Sequence, residues 1–134
     1  MNLSYQDKNV FTISEMCDKY GVTARTLRFY EFKELLFPKR LGQKRLFTRR
    51  DQARLKLILQ GKRFGFSLEE IRQLLNLYDI GDQQTTQLAK TYELAEQRLV
   101  LMENQRNELT SAIIDLKKML SLGAKELSKR GIMV

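Results

Sequence analysis

The sequence predicts a mainly α-helical chain: a winged helix-turn-helix with a small β-hairpin wing, followed by a long antiparallel coiled-coil dimerisation helix. Three observations support this fold class. Ser or Thr followed three positions later by an acidic residue precedes three helix-like stretches, and this capping box starts helices. The only proline and a Gly-Gln pair lie close together within residues 36–47, as in a hairpin. From Thr85 to Leu122 there is no Pro or Gly, and apolar residues recur at spacings of four and three.

Two short helices joined by a tight turn are predicted near the N-terminus. The capping box Thr12-Ile-Ser-Glu15 starts a helix over residues 13–20. Gly21 ends that helix, because only Gly takes the left-handed turn without steric cost. Thr23 suits the N-cap of a second helix over residues 24–33. The pair is typical of a helix-turn-helix, although other helical hairpins share the pattern.

The wing and two further helices follow. Pro38, a turn at Gly42-Gln43 and an extended stretch at 45–47 predict a β-hairpin within residues 36–47. Capping boxes that begin at Thr48 and Ser67 then predict helices over residues 49–64 and 68–78. The run Ile80-Gly81-Asp82 interrupts the helical pattern and marks the expected domain boundary.

The long helix carries a heptad seam. At 1.5 Å per residue it spans roughly 57 Å, more than one small domain can bury, so a two-stranded coiled-coil homodimer is expected. The alternative is a helix folded back onto its own domain. Arg106 is the charged exception in the seam, where it either fixes register or extends outward to solvent. The expected interface consists of Leu88, Tyr92, Ala95, Leu99, Met102, Arg106, Leu109, Ile113, Leu116 and Leu120.

Positive charge is concentrated in one part of the chain. The 134 residues include 24 Lys and Arg against 16 Asp and Glu, a formal charge of +8. Residues 33–63 alone hold eleven basic and two acidic residues. Such a block indicates an anionic partner, either nucleic acid or an anionic membrane surface. The block lacks an amphipathic helix with an aromatic apolar face, which disfavours the membrane.

The composition also excludes several classes of protein. With no His, the chain cannot form a Ser-His-Asp or Cys-His catalytic site or a histidine metal site. A lone Cys17 cannot form an internal disulfide or a thiolate zinc cluster. It suits a small core position, with a redox sensor as the alternative. We expect no enzyme, no cofactor and no metal. The first ten residues lack the apolar core of a signal peptide, which predicts a cytoplasmic protein.

Several of these segments resemble the MerR family of bacterial transcription regulators. The likeness covers roughly residues 10–122 and is carried by residues 11–31, Leu35-Leu-Phe-Pro38 and Phe64-Gly-Phe-Ser-Leu-Glu-Glu-Ile71. Residues 42–47 and 55–66 are also similar to the short LiuR group, which regulates leucine and isovalerate catabolism. The expected organisation is an N-terminal arm at 1–10, a DNA-binding domain at 11–81, a dimerisation helix at 82–122 and a short tail at 123–134.

The resemblance implies which residues contact DNA. The second helix would enter the major groove, with Arg25 contacting a base or, alternatively, a phosphate. Arg28, Tyr30 and Arg45 match family positions that hold the sugar-phosphate backbone, although a core role for Tyr30 is the alternative. The full expected set is Thr12, Thr23, Ala24, Arg25, Arg28, Tyr30, Lys44, Arg45, Arg49 and Arg50.

One position departs from the family pattern. Relatives usually have Gly directly before the Leu-Leu-x-Pro segment, where this chain has Glu34. A non-Gly residue in a left-handed turn costs ~1 kcal/mol. Either the turn is remodelled or the strain is tolerated.

The resemblance also implies partners and a signal. The expected partners are double-stranded promoter DNA, RNA polymerase and a second copy of the chain, whereas the regulatory sign is open. The LiuR likeness suggests an acyl-CoA or related metabolite, with Tyr78, Tyr92 and Arg106 as candidate contacts; a protein without an effector is the alternative. A nucleoid-type architectural protein that binds DNA by charge and DNA deformability alone is the rival function.

Overall fold

The computed structural model describes residues 9–77 and 84–134. The chain divides into two compact units that meet in sequence between Thr91 and Tyr92. The expected boundary at Ile80-Gly81-Asp82 lies outside the described residues. None of the described helices combines the length and the apolar character needed to cross a membrane.

A small antiparallel sheet lies in the first unit. Its strands are β1 (Val10–Thr12), β2 (Lys39–Leu41) and β3 (Lys44–Thr48), in the order β1-β3-β2. The hairpin β2-β3 confirms the predicted wing. Strand β1 adds a third strand, and its Phe11 faces Phe47 across the register, with both rings fully buried.

Within the described residues 9–77, the first unit also contains four helices: α1 (Ile13–Tyr20), α2 (Ala24–Phe32), α3 (Arg49–Phe64) and α4 (Leu68–Leu77). The predicted bounds of α1 and α3 are confirmed residue for residue, and α2 ends one residue earlier than predicted, with Lys33 as its C-cap. Tyr78, the predicted end of α4, lies outside the described residues.

The predicted capping boxes explain this agreement. At Thr12 and Thr48, the side chain accepts from the third helical amide while the acidic side chain accepts from the capping residue's own N–H. Ser67 and Glu70 make the same reciprocal pair at 2.8 and 3.1 Å. Each box satisfies two amides that a helix start otherwise leaves unpaired, so each sets a helix start locally.

The core of the first unit joins the sheet to all four helices. At Gly61 a Cβ would lie 2.9 Å from Cγ1 of Ile71, so the missing side chain lets α3 and α4 approach closely. Among the described residues, the fully buried apolar side chains are Phe11, Met16, Leu27, Leu35, Leu36, Phe47, Leu55, Ile58, Ile71, Leu74 and Leu75.

The long helix α5 (Thr85–Lys129) runs seven residues beyond its predicted end. The prediction of an end at Leu122 and a tail at 123–134 is wrong, because an interior glycine such as Gly123 costs only ~1 kcal/mol and does not break a helix. The helix ends instead at Lys129, two residues before Gly131, whose φ is +81°. There the amide of Ile132 donates to Leu127 O at 2.9 Å, as in a Schellman motif.

The turn after α2 shows whether Glu34 remodels the backbone or is held in a strained conformation. Its φ is +59°, so the left-handed conformation is retained without glycine. The amides of Glu34 and Leu35 donate to Glu31 O and Tyr30 O, both at 2.9 Å, which completes the same helix-ending motif. The strain is therefore tolerated and the turn is not remodelled.

Replacing Glu34 with glycine should stabilise the protein. Removal of the left-handed strain should raise the free energy of unfolding by about 0.5–1 kcal/mol, net of the greater freedom of glycine in the unfolded chain. Urea unfolding at fixed protein concentration measures the change. Gly21→Ala is the matched control with the opposite sign, because φ is +66° and an added Cβ meets nothing within 4 Å. A less stable Glu34→Gly protein would contradict the strain argument.

Candidate nucleic-acid interface

The helix-turn-helix positions the start of α2 at the surface. Gly21 turns the chain in the left-handed conformation, and its amide donates to Cys17 O at 2.9 Å. Thr23 then caps α2, since its Oγ1 accepts from the amide of Thr26 at 3.1 Å. Thr23 is exposed and Ala24 half-buried, so the first turn of α2 is accessible to a partner.

Helix α2 has one buried and one exposed face. Leu27 and Tyr30 are buried, whereas Arg25 and Arg28 are exposed three residues apart on the opposite face. The structure thus brings together two of the predicted DNA contacts. Tyr30 is 5% exposed, and burial raises the pKa of its phenol. The hydroxyl is therefore protonated at neutral pH and able to donate.

The wing and the start of α3 present further cations. Lys44 lies at the start of β3, beside the Gly42-Gln43 turn, and Arg49 and Arg50 begin α3; all three are exposed. Asp51 is 2% exposed and accepts from the amide of Phe37 at 2.9 Å as well as from Thr48. This carboxylate ties the start of α3 to the chain leading into the wing.

Arg45 is less exposed than these cations, and its partner is a residue that sequence reasoning missed. Its Nε donates to Oε2 of Glu31 at 2.6 Å, and Nη2 of Arg40 donates to Oε1 of the same carboxylate at 3.1 Å. Glu31 was visible in sequence only as part of the resembling segment. Its partners lie nine and fourteen residues away, so only the folded chain shows them.

The basic block does not lie entirely at the surface. Arg54 is 4% exposed, donates from Nε to Leu35 O at 2.7 Å and lies 5.1 Å from the Phe37 ring centroid. The Arg54 side chain is therefore part of the core beside the wing, where its guanidinium holds the chain that leads into β2. Beyond the block, Arg72 of α4 donates to Lys33 O and so holds the turn after α2.

The remaining predicted site residues are scattered. Thr12 is half-buried, and both its side chain and its amide are engaged with Glu15 in the capping box. Tyr78 lies outside the described residues. Tyr92 and Arg106 are both exposed, and Arg106 pairs with Glu103 at 4.0 Å. A cavity of about 400 Å³ in the first unit is instead lined by Gln73, Asn76, Leu77, Thr86 and Lys90.

The predicted seam is uncovered within one chain. No residue of α5 is buried, and eight of the predicted interface residues are among the large exposed hydrophobic side chains. These are Leu88, Tyr92, Leu99, Met102, Leu109, Ile113, Leu116 and Leu120. Ala95 and Arg106 are exposed as well.

Two protein families match the sequence that forms these elements. Residues 11–77 match the MerR HTH family regulatory proteins, and residues 52–119 match the MerR DNA-binding family. The chain belongs to the MerR family. Its members are HTH-type transcriptional regulators, so the MerR resemblance, the winged helix-turn-helix and the long C-terminal helix predicted from sequence are confirmed.

Named relatives of this MerR-family chain show how far the likeness extends. An uncharacterized HTH-type transcriptional regulator of Synechocystis sp. is 32% identical over 124 residues, covering 91% of this chain and 88% of the relative. HiNmlR, a MerR family regulator lacking the sensor domain and solved bound to promoter DNA, is 30% identical with a TM-score of 0.51. The match covers 90% of this chain and 89% of that one.

A third relative was solved with a metal. A transcription regulator from Ralstonia metallidurans in complex with lead(II) is 30% identical, with a TM-score of 0.56, and the match covers 79% of this chain and 84% of that one. In this chain, the described residues contain no group of three His, Cys, Asp or Glu side chains that could hold a metal ion.

Proposed function

We propose that this MerR-family chain binds a two-fold related promoter site as a homodimer and distorts the DNA. The observation that carries the proposal is the exposed pair Arg25 and Arg28 at the start of a capped helix, beside a wing that carries further cations. The promoter DNA bound to HiNmlR supports the same partner.

Each of the predicted DNA-contact residues has a proposed role. Arg25 reads a base edge in the major groove, because a bidentate arginine–guanine pair supplies ~1–3 kcal/mol of discrimination. Arg28 and the hydroxyl of Tyr30 hold the sugar-phosphate backbone. Lys44, Arg45, Arg49 and Arg50 face phosphates from the wing and the start of α3, and the amides at the helix start after Thr12 add contacts to phosphate. Thr23 and Ala24 lie at the start of α2, where side chains can reach base edges.

The exposed seam of α5 supports the homodimer. A helix with this many uncovered apolar side chains at heptad spacing is stable in water when a second helix covers the stripe. We propose that the second helix comes from another copy, in antiparallel orientation. The dimer then presents two α2 helices to two half-sites, so the site has the two-fold symmetry of the protein.

Regulation would follow from DNA distortion. Bending a promoter costs several kcal/mol, which the dimer recovers through contacts, and the bent promoter is then presented to RNA polymerase. A cytoplasmic location follows from this role. We propose an N-terminal arm at 1–10, a DNA-binding domain at 11–81 and a dimerisation helix that begins near 82 and continues past Leu122 to Lys129.

An acyl-CoA or a related metabolite is the proposed effector. Its support is the LiuR-like segments, and Tyr78, Tyr92 and Arg106 are its proposed contacts. The cavity beside Lys90 offers a second place to look for an anionic metabolite. No metal effector is proposed.

Competition between duplexes tests the function. At ~150 mM salt the protein should bind its upstream promoter duplex ~10³-fold more tightly than a scrambled duplex of equal length and composition. If four of these cations contact phosphate in each protomer, the dimer makes about eight contacts, and log affinity should fall with log salt at a slope of roughly −7. Equal binding to both duplexes would favour an architectural protein instead.

The proposed effector is tested by repeating the titration, and a footprint on the promoter duplex, in the presence of isovaleryl-CoA. An unchanged affinity and an unchanged footprint would eliminate isovaleryl-CoA as the effector.

A further inference from the structure

One carboxylate joins the recognition helix, which is α2, the helix proposed to enter the major groove, to both strands of the wing. Glu31 lies near the end of α2, Arg40 in β2 and Arg45 in β3. Each oxygen of the Glu31 carboxylate accepts from a different arginine, at 3.1 Å from Arg40 and 2.6 Å from Arg45. The side chains of Glu31 and Arg45 are 23% and 22% exposed, so this pair is partly shielded from water, whereas Arg40 is 49% exposed.

Without this carboxylate, the two arginines would repel each other across the wing. Arg40 and Arg45 are direct cross-strand partners in the β2-β3 register. Like charges directly opposite each other destabilise a strand pair. A carboxylate that accepts from both guanidinium groups offsets the repulsion, and charge-assisted hydrogen bonds of this kind are the strong ones.

We infer that Glu31 is a positioning residue for sequence recognition, fixing the wing relative to the recognition helix. The inference rests on the proposed DNA-binding function and deepens it. Arg25 and Arg28 face DNA from α2, whereas Lys44 and Arg45 face it from the wing. All four reach one duplex at once only when α2 and the wing keep a fixed separation. The carboxylate that bridges them sets that separation.

A surface role for Glu31 predicts the opposite result. A negative charge near DNA repels phosphate, so removing it should tighten binding to every sequence. A positioning role predicts weaker binding to the specific site, because the wing cations are no longer held in line with the phosphates beside the bases that α2 contacts. Binding to scrambled DNA does not require α2 and the wing to contact particular positions together, so the affinity for scrambled DNA should stay the same or rise. The ratio of the two affinities therefore separates the roles.

The test compares Glu31→Gln with wild type on two duplexes. One duplex is the sequence that wild-type protein selects from a random library, and the other is its scrambled counterpart. We expect specific affinity to fall about tenfold while scrambled-DNA affinity is unchanged or higher. Glu126→Gln is the matched control, since Glu126 is 55% exposed and pairs with Arg130 near the end of α5, at 3.2 Å. This control should leave both affinities unchanged.

Arg40→Lys provides a second variant that keeps the net charge. It removes the guanidinium whose Nη2 donates to Glu31 at 3.1 Å, and Arg40 has no proposed DNA contact, so the specificity ratio should fall again while the salt slope stays at the wild-type value. Circular dichroism confirms that each variant is folded. An unchanged ratio in both variants, or tighter binding to both duplexes, would overturn the inference. Failure of wild type to select any sequence would instead overturn the proposed function.

Discussion

Leu109→Glu should convert the dimer to a monomer and abolish specific DNA binding. Leu109 lies near the middle of the seam and is 62% exposed within one chain. In the dimer its side chain would be covered, and a buried unpaired carboxylate costs several kcal/mol. Both copies carry the change, so we expect dimerisation to weaken by more than about a thousandfold. Sedimentation velocity measures the mass, and DNA titration measures the loss of binding.

Glu108→Gln is the matched control for this experiment. Glu108 lies next to Leu109 but outside the seam, so the dimer and its DNA affinity should be retained. An unchanged mass for Leu109→Glu would show that another surface forms the interface. A monomer that still binds the two-fold site with wild-type affinity would show that the dimer is not needed for recognition.

Arg25→Ala should remove most of the sequence preference and little of the general affinity for DNA. A lost bidentate base contact costs about 1–3 kcal/mol per half-site, and the dimer loses two. Specific affinity should therefore fall at least about 30-fold, with scrambled-DNA affinity reduced far less. Competition titrations with the selected and scrambled duplexes measure both.

The phosphate alternative for Arg25 predicts a different pattern. If Arg25 contacts phosphate, Arg25→Ala should weaken binding to both duplexes alike and reduce the salt slope by about one for each protomer. Arg130→Gln serves as the control, because Arg130 lies beyond the end of α5 and pairs with Glu126 there, at 3.2 Å. It should leave the specificity ratio at its wild-type value.

Local interactions account for what could be predicted of the fold. The bounds of α1 and α3 follow from capping boxes and from Gly21 and Gly65, all of which act within a few residues. Strand β1 was not predicted, since three residues carry no alternating pattern and its pairing with β3 is long-range. The end of α5 was misplaced because Gly123 weakens a helix without ending it.

The candidate site shows the same division between local and long-range effects. The surface positions of Arg25 and Arg28 follow from helix periodicity, since Leu27 and Tyr30 occupy the buried face. The left-handed turn at Glu34 followed from family resemblance. The roles of Glu31 and Arg54 depend on residues in other elements, so a count of charges along the sequence could not separate Arg54, which lies in the core, from the exposed cations.

The most direct test of the central claim is a hydroxyl-radical footprint of the protein on its own upstream DNA. A homodimer that inserts two α2 helices predicts two protected patches related by two-fold symmetry, with altered cleavage between them where the DNA is distorted. Uniform protection, or protection that follows any added duplex regardless of sequence, would contradict the account.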